Sequence, residues 1–263
     1  MRVLFLLAAW VVALASCVRL CRAVLTADAP APPANAAGDL TLYETAFLAG
    51  GPRRVVDLAL VSMARRRLLL LAHTGWATVV DPRGGDDIER SVVTAIGPGG
   101  QSPVPAVRAA VTAAEAVRVL GERLVAAGLA VPSATRAAVA AAVRQTRLAA
   151  VLVAAVALVA VALLPGDADT GAAVAWFALP TALTVGCLAI ARFEVGRRAP
   201  WASPAGEARL RAAAETAVEA AVEVSGAPGP YEGLGDRALL TVLALRGPSA
   251  LADPSLRAAL RAR

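Results

Sequence analysis

The sequence predicts a mainly α-helical membrane protein: three transmembrane helices, a small winged-helix-like α+β domain in the cytoplasm, and a helical C-terminal tail. Three observations predict it. Hydrophobic residues make up 58% of the 263 and the mean hydropathy is +0.63, while charged residues are only 17%, against roughly 25% in an average soluble chain. The apolar residues are gathered into three runs without charge. Arginines then bracket those runs unevenly.

The first run, Val3 to Val18, lies between Arg2 and Arg19. About 20 apolar residues cross a bilayer, and Leu20, Val24 and Leu25 supply the remainder if Arg19 and Arg22 snorkel to the headgroups. Residues 1–25 therefore read as an N-terminal anchor. Leu14-Ala15-Ser16-Cys17 also fits a bacterial lipobox, so a lipoprotein anchored at Cys17 is the alternative, with a cleaved signal peptide as a third reading. Residues 26–38 form a stiff Pro/Ala linker.

The second run, Leu148 to Leu164, follows Arg144 and Arg147 and stops at Pro165-Gly166. The third, Gly171 to Ala191, is closed by Arg192, Arg197 and Arg198; it contains Pro180, which a span tolerates. Residues 133–194 thus read as a membrane hairpin. Its flanks are basic and its tip carries Asp167 and Asp169, so the positive-inside rule puts the flanks in the cytoplasm and the N-terminus outside. A lipoprotein would strand Arg144 and Arg147 on the outer side.

Residues 39–132 carry dense helix signals. Thr41-Leu42-Tyr43-Glu44 is a capping box. The short helix it opens ends at Gly50-Gly51, and Pro52 suits the first position of a second helix. Leu68 to Ala72 and Trp76 to Val80 read as a hairpin around Gly75. Asp86 to Glu89 starts another helix. After Gly97 to Gln101, Ser102-Pro103 opens a longer one closed by Gly128. Ser133 caps a helix that runs through Arg144 into the second span. Helix, helix, hairpin, helix is a winged-helix-like order.

The tail, 195–263, has one clear helix capped by Ser203. It carries Glu207, Arg211, Glu215, Glu219 and Glu223 every four residues, which gives one charged face. Two short helices follow, around Gly247-Pro248. Ala49-Gly50-Gly51-Pro52 and Leu245-Arg246-Gly247-Pro248 are similar, each with an Asp five residues after the proline. One short match does not establish a repeat.

The net charge is +6, every basic residue is Arg, and the charge is spread along the chain. That distribution lacks the concentrated footprint of a nucleic-acid binder. Arg65 to Arg67 read as cations at a helix C-terminus that face water or anionic lipid. Cys17, Cys21 and Cys187 form no CxxC pair, so no metal site is expected. His73, the one histidine, falls in a hairpin turn with no adjoining triad. Asp81, Asp86, Asp87 and Glu89 do not match a calcium loop. Gly97 to Gly100 lacks the Lys-Ser/Thr of a phosphate-binding loop. No catalytic, cofactor or metal site is expected, and the chain reads as a non-enzyme without a cofactor.

The stretch Glu44-Thr45-Ala46-Phe47-Leu48-Ala49-Gly50-Gly51-Pro52-Arg53-Arg54-Val55-Val56-Asp57 resembles the signature of a family of high-GC, actinobacterial-type membrane proteins, Glu-x-Ala-x-Leu-Ala-Gly-Gly-Pro-x-Arg-x-x-Asp. The resemblance implies a similar layout of anchor, domain, paired spans and tail. It implies no activity, because none is established for that family. Glu44, Gly50, Gly51, Pro52, Arg54 and Asp57 are therefore the candidate site, and their chemistry is mostly structural. Two glycines end one helix, a proline starts the next, and Arg53 or Arg54 pairs with Asp57 along an exposed first turn. The function expected is a membrane-anchored scaffold or interaction protein, its partners the lipid bilayer and other proteins. The alternative is a membrane-bound regulator that binds nucleic acid or a small ligand through the winged-helix-like domain.

Overall fold

The computed structural model describes residues 2–27, 39–162, 201–225 and 236–261, together with Ala182, Val185, Gly186 and Ala189. Most of the Pro/Ala linker, the hairpin tip at Pro165-Gly166 and nearly all of the third run, Pro180 and Cys187 included, lie outside the described residues. In chain order the elements are α1 (Arg2–Ala27), α2 (Leu42–Arg65), β1 (Leu69–Leu71), β2 (Trp76–Val79), α3 (Asp87–Ile96), β3 (Gln101–Pro103), α4 (Val104–Thr112), α5 (Glu115–Ala126), α6 (Ser133–Ala162), α7 (Pro204–Ser225), α8 (Asp236–Arg246) and α9 (Pro254–Arg261). The architecture is mainly helical with one small sheet. The chain divides into two compact units, residues 1–30 with 131–198 and residues 31–130 with 199–263.

In the first unit α1 packs against α6. The contact face is built mostly from small residues, with one larger apolar side chain from each helix: Ala13, Ser16, Cys17 and Leu20 of α1 are buried, as are Ala142, Thr146, Ala149 and Val153 of α6. Their spacing is that of one helix face, and small side chains let two helix backbones approach. Ser16 and Thr146 spend their hydroxyls on backbone carbonyls of their own helices, Ala13 at 2.9 Å and Ala142 at 3.0 Å. The large apolar side chains point the other way: Val11 is 64% exposed, Leu148 70% and Val151 67%. Ser133–Ala155 is the one helical segment among the described residues long and apolar enough to cross a membrane; of the three expected transmembrane helices it is the one that meets this test, and the third run lies outside the described residues. Gly186, on the third run, has no atom of a described residue within 4 Å of where a Cβ would stand.

In the second unit the sheet is antiparallel throughout, in the order β1-β2-β3. The hairpin forms where the β-rich runs place it, and Gly75 takes φ +85° in its turn. Leu69 pairs with Val79 and Leu71 with Ala77 on the covered face; Leu70 and Trp76 lie on the exposed one. The third strand was not legible. Three residues carry no periodicity, and Pro103 reads as a helix start although it ends an edge strand. The expected order of helix, helix, hairpin, helix therefore gains a strand between α3 and α4.

A second difference concerns the helix expected from Pro103 to Gly128. It breaks at Ala113-Ala114, where Ala114 is extended (φ −68°, ψ 149°). Alanine is the best helix former, so local preference is overridden by packing. The break allows Val111 of α4 and Val117 of α5 both to enter the core. The α5 backbone comes close to α2 at Gly121, where a Cβ would stand 2.8 Å from Phe47 Cζ.

The tail belongs to this same unit. The core that holds Val55, Leu58 and Met63 also takes in Leu210, Leu243, Leu251 and Leu260. Ser203 caps α7 as its sequence predicts, accepting from the Gly206 amide at 3.1 Å and donating to the Gly128 carbonyl at 2.6 Å.

Candidate functional site

The signature residues lie along α2. Glu44 closes the capping box, its Oε2 accepting from the Thr41 amide at 2.8 Å while Thr41 Oγ1 accepts from the Glu44 amide at 3.3 Å. Gly51 interrupts the helix with φ 72° and ψ −166°, a region that only glycine enters at little cost. The residue before a proline is excluded from helical ψ, so a left-handed turn that must run into Pro52 is driven to this conformation. Gly247, before Pro248, adopts φ 81° and ψ −168°. The two Gly-Pro steps that look alike in sequence thus have one backbone geometry.

Arg54 joins them. Its side chain passes between Gly50 and Gly247, either of which would place a Cβ within 2.7 Å of the guanidinium group. Nη1 donates to the carbonyls of Leu245 at 2.9 Å and Ala244 at 3.2 Å. These belong to the last turn of α8, whose terminal carbonyls lack helical partners and carry partial negative charge. Burial lowers the Arg54 pKa, and Asp57 opposes that shift. Gly50, Arg54 and Gly247 therefore form one clasp, from which Glu44 stands apart at the start of α2.

Asp57 departs from its expected pairing. Its partner is Arg108 of α4, with Nε and Nη2 donating to one carboxylate oxygen at 2.9 and 2.8 Å. Both residues are buried. Asp57 lies on the inner face of the helix whereas Arg53 is exposed, so the exposed first-turn pair does not form. Burial raises the Asp57 pKa and Arg108 works against it. Arg108 Nη2 also donates to the Leu260 carbonyl at 2.8 Å, in the last turn of α9. Two arginines, one on α2 and one on α4, thus each hold the C-terminal end of a tail helix.

An aromatic contact completes this arrangement. Trp201 lies on Gly51, where a Cβ would come within 2.1 Å of its ring, and meets Phe47 edge to face with 5.4 Å between centroids. Neither Arg108 nor Trp201 was singled out from sequence. For Arg108 a signal existed: it is the one charge between Val107 and Val111 on an otherwise apolar helix face.

The acidic cluster of 81–89 is resolved into separate tasks. Asp86 caps α3 by accepting from the Glu89 amide at 2.8 Å, and Asp81 pairs with Arg83 at 2.7 Å. Glu89 is 1% exposed and accepts from Arg66 Nη1 at 2.7 Å, Arg66 Nη2 at 3.2 Å and the Gly85 amide at 2.8 Å. Burial raises the Tyr43 pKa, reinforced by Asp86 and Glu89. Arg66 is thus tied to a carboxylate, and Arg65 to Asp236. All three are exposed, and Arg67 stands in the left-handed region at φ 59°.

An open groove of about 530 Å³ runs between α3, α4 and α5. Its floor is Ala95, Ala110, Ala114 and Val119, and its rim mixes Asp87, Arg90 and Arg123. His73 is exposed in the hairpin turn. Among the described residues no three His, Cys, Asp or Glu side chains converge on a metal-sized site. Of the charged signature residues, Arg54 is engaged by carbonyls at the end of α8 and Asp57 by Arg108. No protein-family model matches this chain, and neither a curated protein nor a solved structure is similar to it.

Proposed function

We propose that the chain is a non-enzymatic, membrane-anchored scaffold or interaction protein, with residues 39–132 and the tail forming its cytoplasmic module. The observation that carries this reading is the inverted polarity of the α1/α6 pair. Small and hydroxyl-bearing residues pack between the helices, while Leu7, Val11, Leu14, Val18, Leu148, Val151 and Leu152 face outward. Each large apolar side chain buried in lipid gains about 1.5–3 kcal/mol over exposure to water. A bilayer is the solvent that makes such a surface favourable. In this reading the first and third runs span as well, the N-terminus is outside, and the Arg flanks are cytoplasmic.

Reporter fusions after Pro33 and after Ser225 test the topology, and both should report the cytoplasm. An external signal after Pro33 would instead favour the lipoprotein anchored at Cys17, as would a mass increase abolished by Cys17→Ala.

The groove supports the second reading, a regulator that binds a small ligand through the winged-helix-like module. Its rim pairs Arg90 with Asp87, which leaves no basic stripe for a phosphate backbone. A salt-dependent shift of DNA by the full chain in detergent would favour nucleic acid over both.

A further inference from the structure

The α1/α6 pair holds a second cavity, of about 450 Å³, lined by Arg19 of α1 and by Arg144 and Gln145 of α6 over a floor of Ala138, Ala141 and Ala142. We infer that this cavity is a site for the phosphate of an anionic phospholipid at the cytoplasmic leaflet; the inference rests on the membrane reading above.

Charge is the first argument. Neither α1 nor α6 contains an Asp or Glu, and neither Arg19 nor Arg144 makes an ion pair with a described residue. Arg22 and Arg147, one turn further along each helix, add to the same positive field. The lining holds one guanidinium group from each helix, a group whose paired N–H donors match phosphate oxygens, and the Gln145 amide can serve a headgroup hydroxyl.

Position is the second. Arg19 ends the charge-free run Val3 to Val18, and Arg144 with Arg147 precedes the run that begins at Leu148. Because Arg19 and Arg144 line one cavity, the Arg-marked ends of the two apolar runs lie side by side. That level is the headgroup layer of a bilayer crossed by both helices, where basic pockets between helices take anionic lipids. Leu148 also lines the cavity and supplies an apolar edge where acyl chains would begin. The volume is within the range of small-ligand sites.

The test uses the full chain in a neutral detergent, with its thermal unfolding followed as phosphatidylglycerol, phosphatidylcholine or free glycerol phosphate is added. Phosphatidylglycerol should raise the midpoint by roughly 5 °C near saturation, and phosphatidylcholine should not. The rise should vanish in Arg19→Gln/Arg144→Gln and persist in Arg2→Gln, which alters the charge away from the cavity. Native mass spectrometry should count phosphatidylglycerol on the parent and lose it in the double variant. An equal rise with glycerol phosphate would overturn the lipid assignment in favour of a free anion. No rise with phosphatidylglycerol, or the same rise in the double variant, would overturn the site itself. An alkaline carbonate wash of native membranes separates the two levels. Retention without a lipid response rejects only this site, whereas release into the wash rejects the membrane reading and the site together.

Discussion

Arg108 places two N–H donors on a single carboxylate oxygen of Asp57, 51 positions earlier in the chain, and turns the same Nη2 toward the Leu260 carbonyl. One buried cation thereby connects α2, α4 and the end of α9. Removing one partner of such a pair leaves the other charged and dry, which costs about 3–5 kcal/mol. Asp57→Ala should destabilise the chain by that amount in urea titrations. Asp57→Leu combined with Arg108→Met should recover most of the loss, since an apolar pair leaves no charge behind. Equal instability of the double variant would show that the Leu260 contact, not the ion pair, carries the energy.

Gly51 faces two constraints at once, a positive φ and the ring of Trp201. Gly51→Val should cost about 2–6 kcal/mol, the sum of backbone strain and overpacking. Gly100 separates the two. Its φ is +66° but nothing lies within 4 Å of its Cβ position, so Gly100→Ala should cost only about 1–2 kcal/mol. A thermal melt of each variant gives the comparison. Similar losses at both sites would mean that Trp201 moves aside freely.

The Arg54 clasp predicts a local rather than a global effect. Arg54→Ala removes two charge-assisted hydrogen bonds to the end of α8, worth about 1.5–3 kcal/mol each. Hydrogen exchange should show residues 236–261 losing protection while β2 and α3 keep theirs. Uniform loss across the domain would mean that the tail and the core unfold as one cooperative unit.

The tail should also respond to acid. Hydrogen bonds from the Ser255 hydroxyl and from the Ser255 and Leu256 amides hold the Asp253 carboxyl below its ordinary value of 3.8. A lowered folded-state pKa contributes stability that is complete above the ordinary value and is lost as pH falls through the folded one. Asp253→Asn keeps an N-cap acceptor without the charge. The parent should therefore exceed this variant by ~0.5 kcal/mol near pH 6, with the gap closing below pH 4. A gap that stays constant with pH would exclude the charge as its source.

Much of the local structure was legible because its causes are local. A Thr-x-x-Glu box, a Gly-Pro step, a Ser or Asp cap and a β-rich run around Gly75 each act within a few residues, and the helices and hairpin form where those signals stand. The similarity between residues 49–52 and 245–248 was also visible, although its meaning was not. Through-space partners left no such trace. Asp57 chose Arg108 over its neighbour Arg53 because of which helix face enters the core. Arg54 reaches α8 because two glycines leave room for its side chain. Arg66 closes on Glu89 rather than on water because α3 packs beside the end of α2. The break at Ala113-Ala114 opposes local preference, so only packing could impose it. Hydropathy and capping thus determined where most of the described helices begin, while the break between α4 and α5 and the pairing of charges awaited the tertiary structure, because the desolvation that makes an ion pair obligatory exists only once the core has closed.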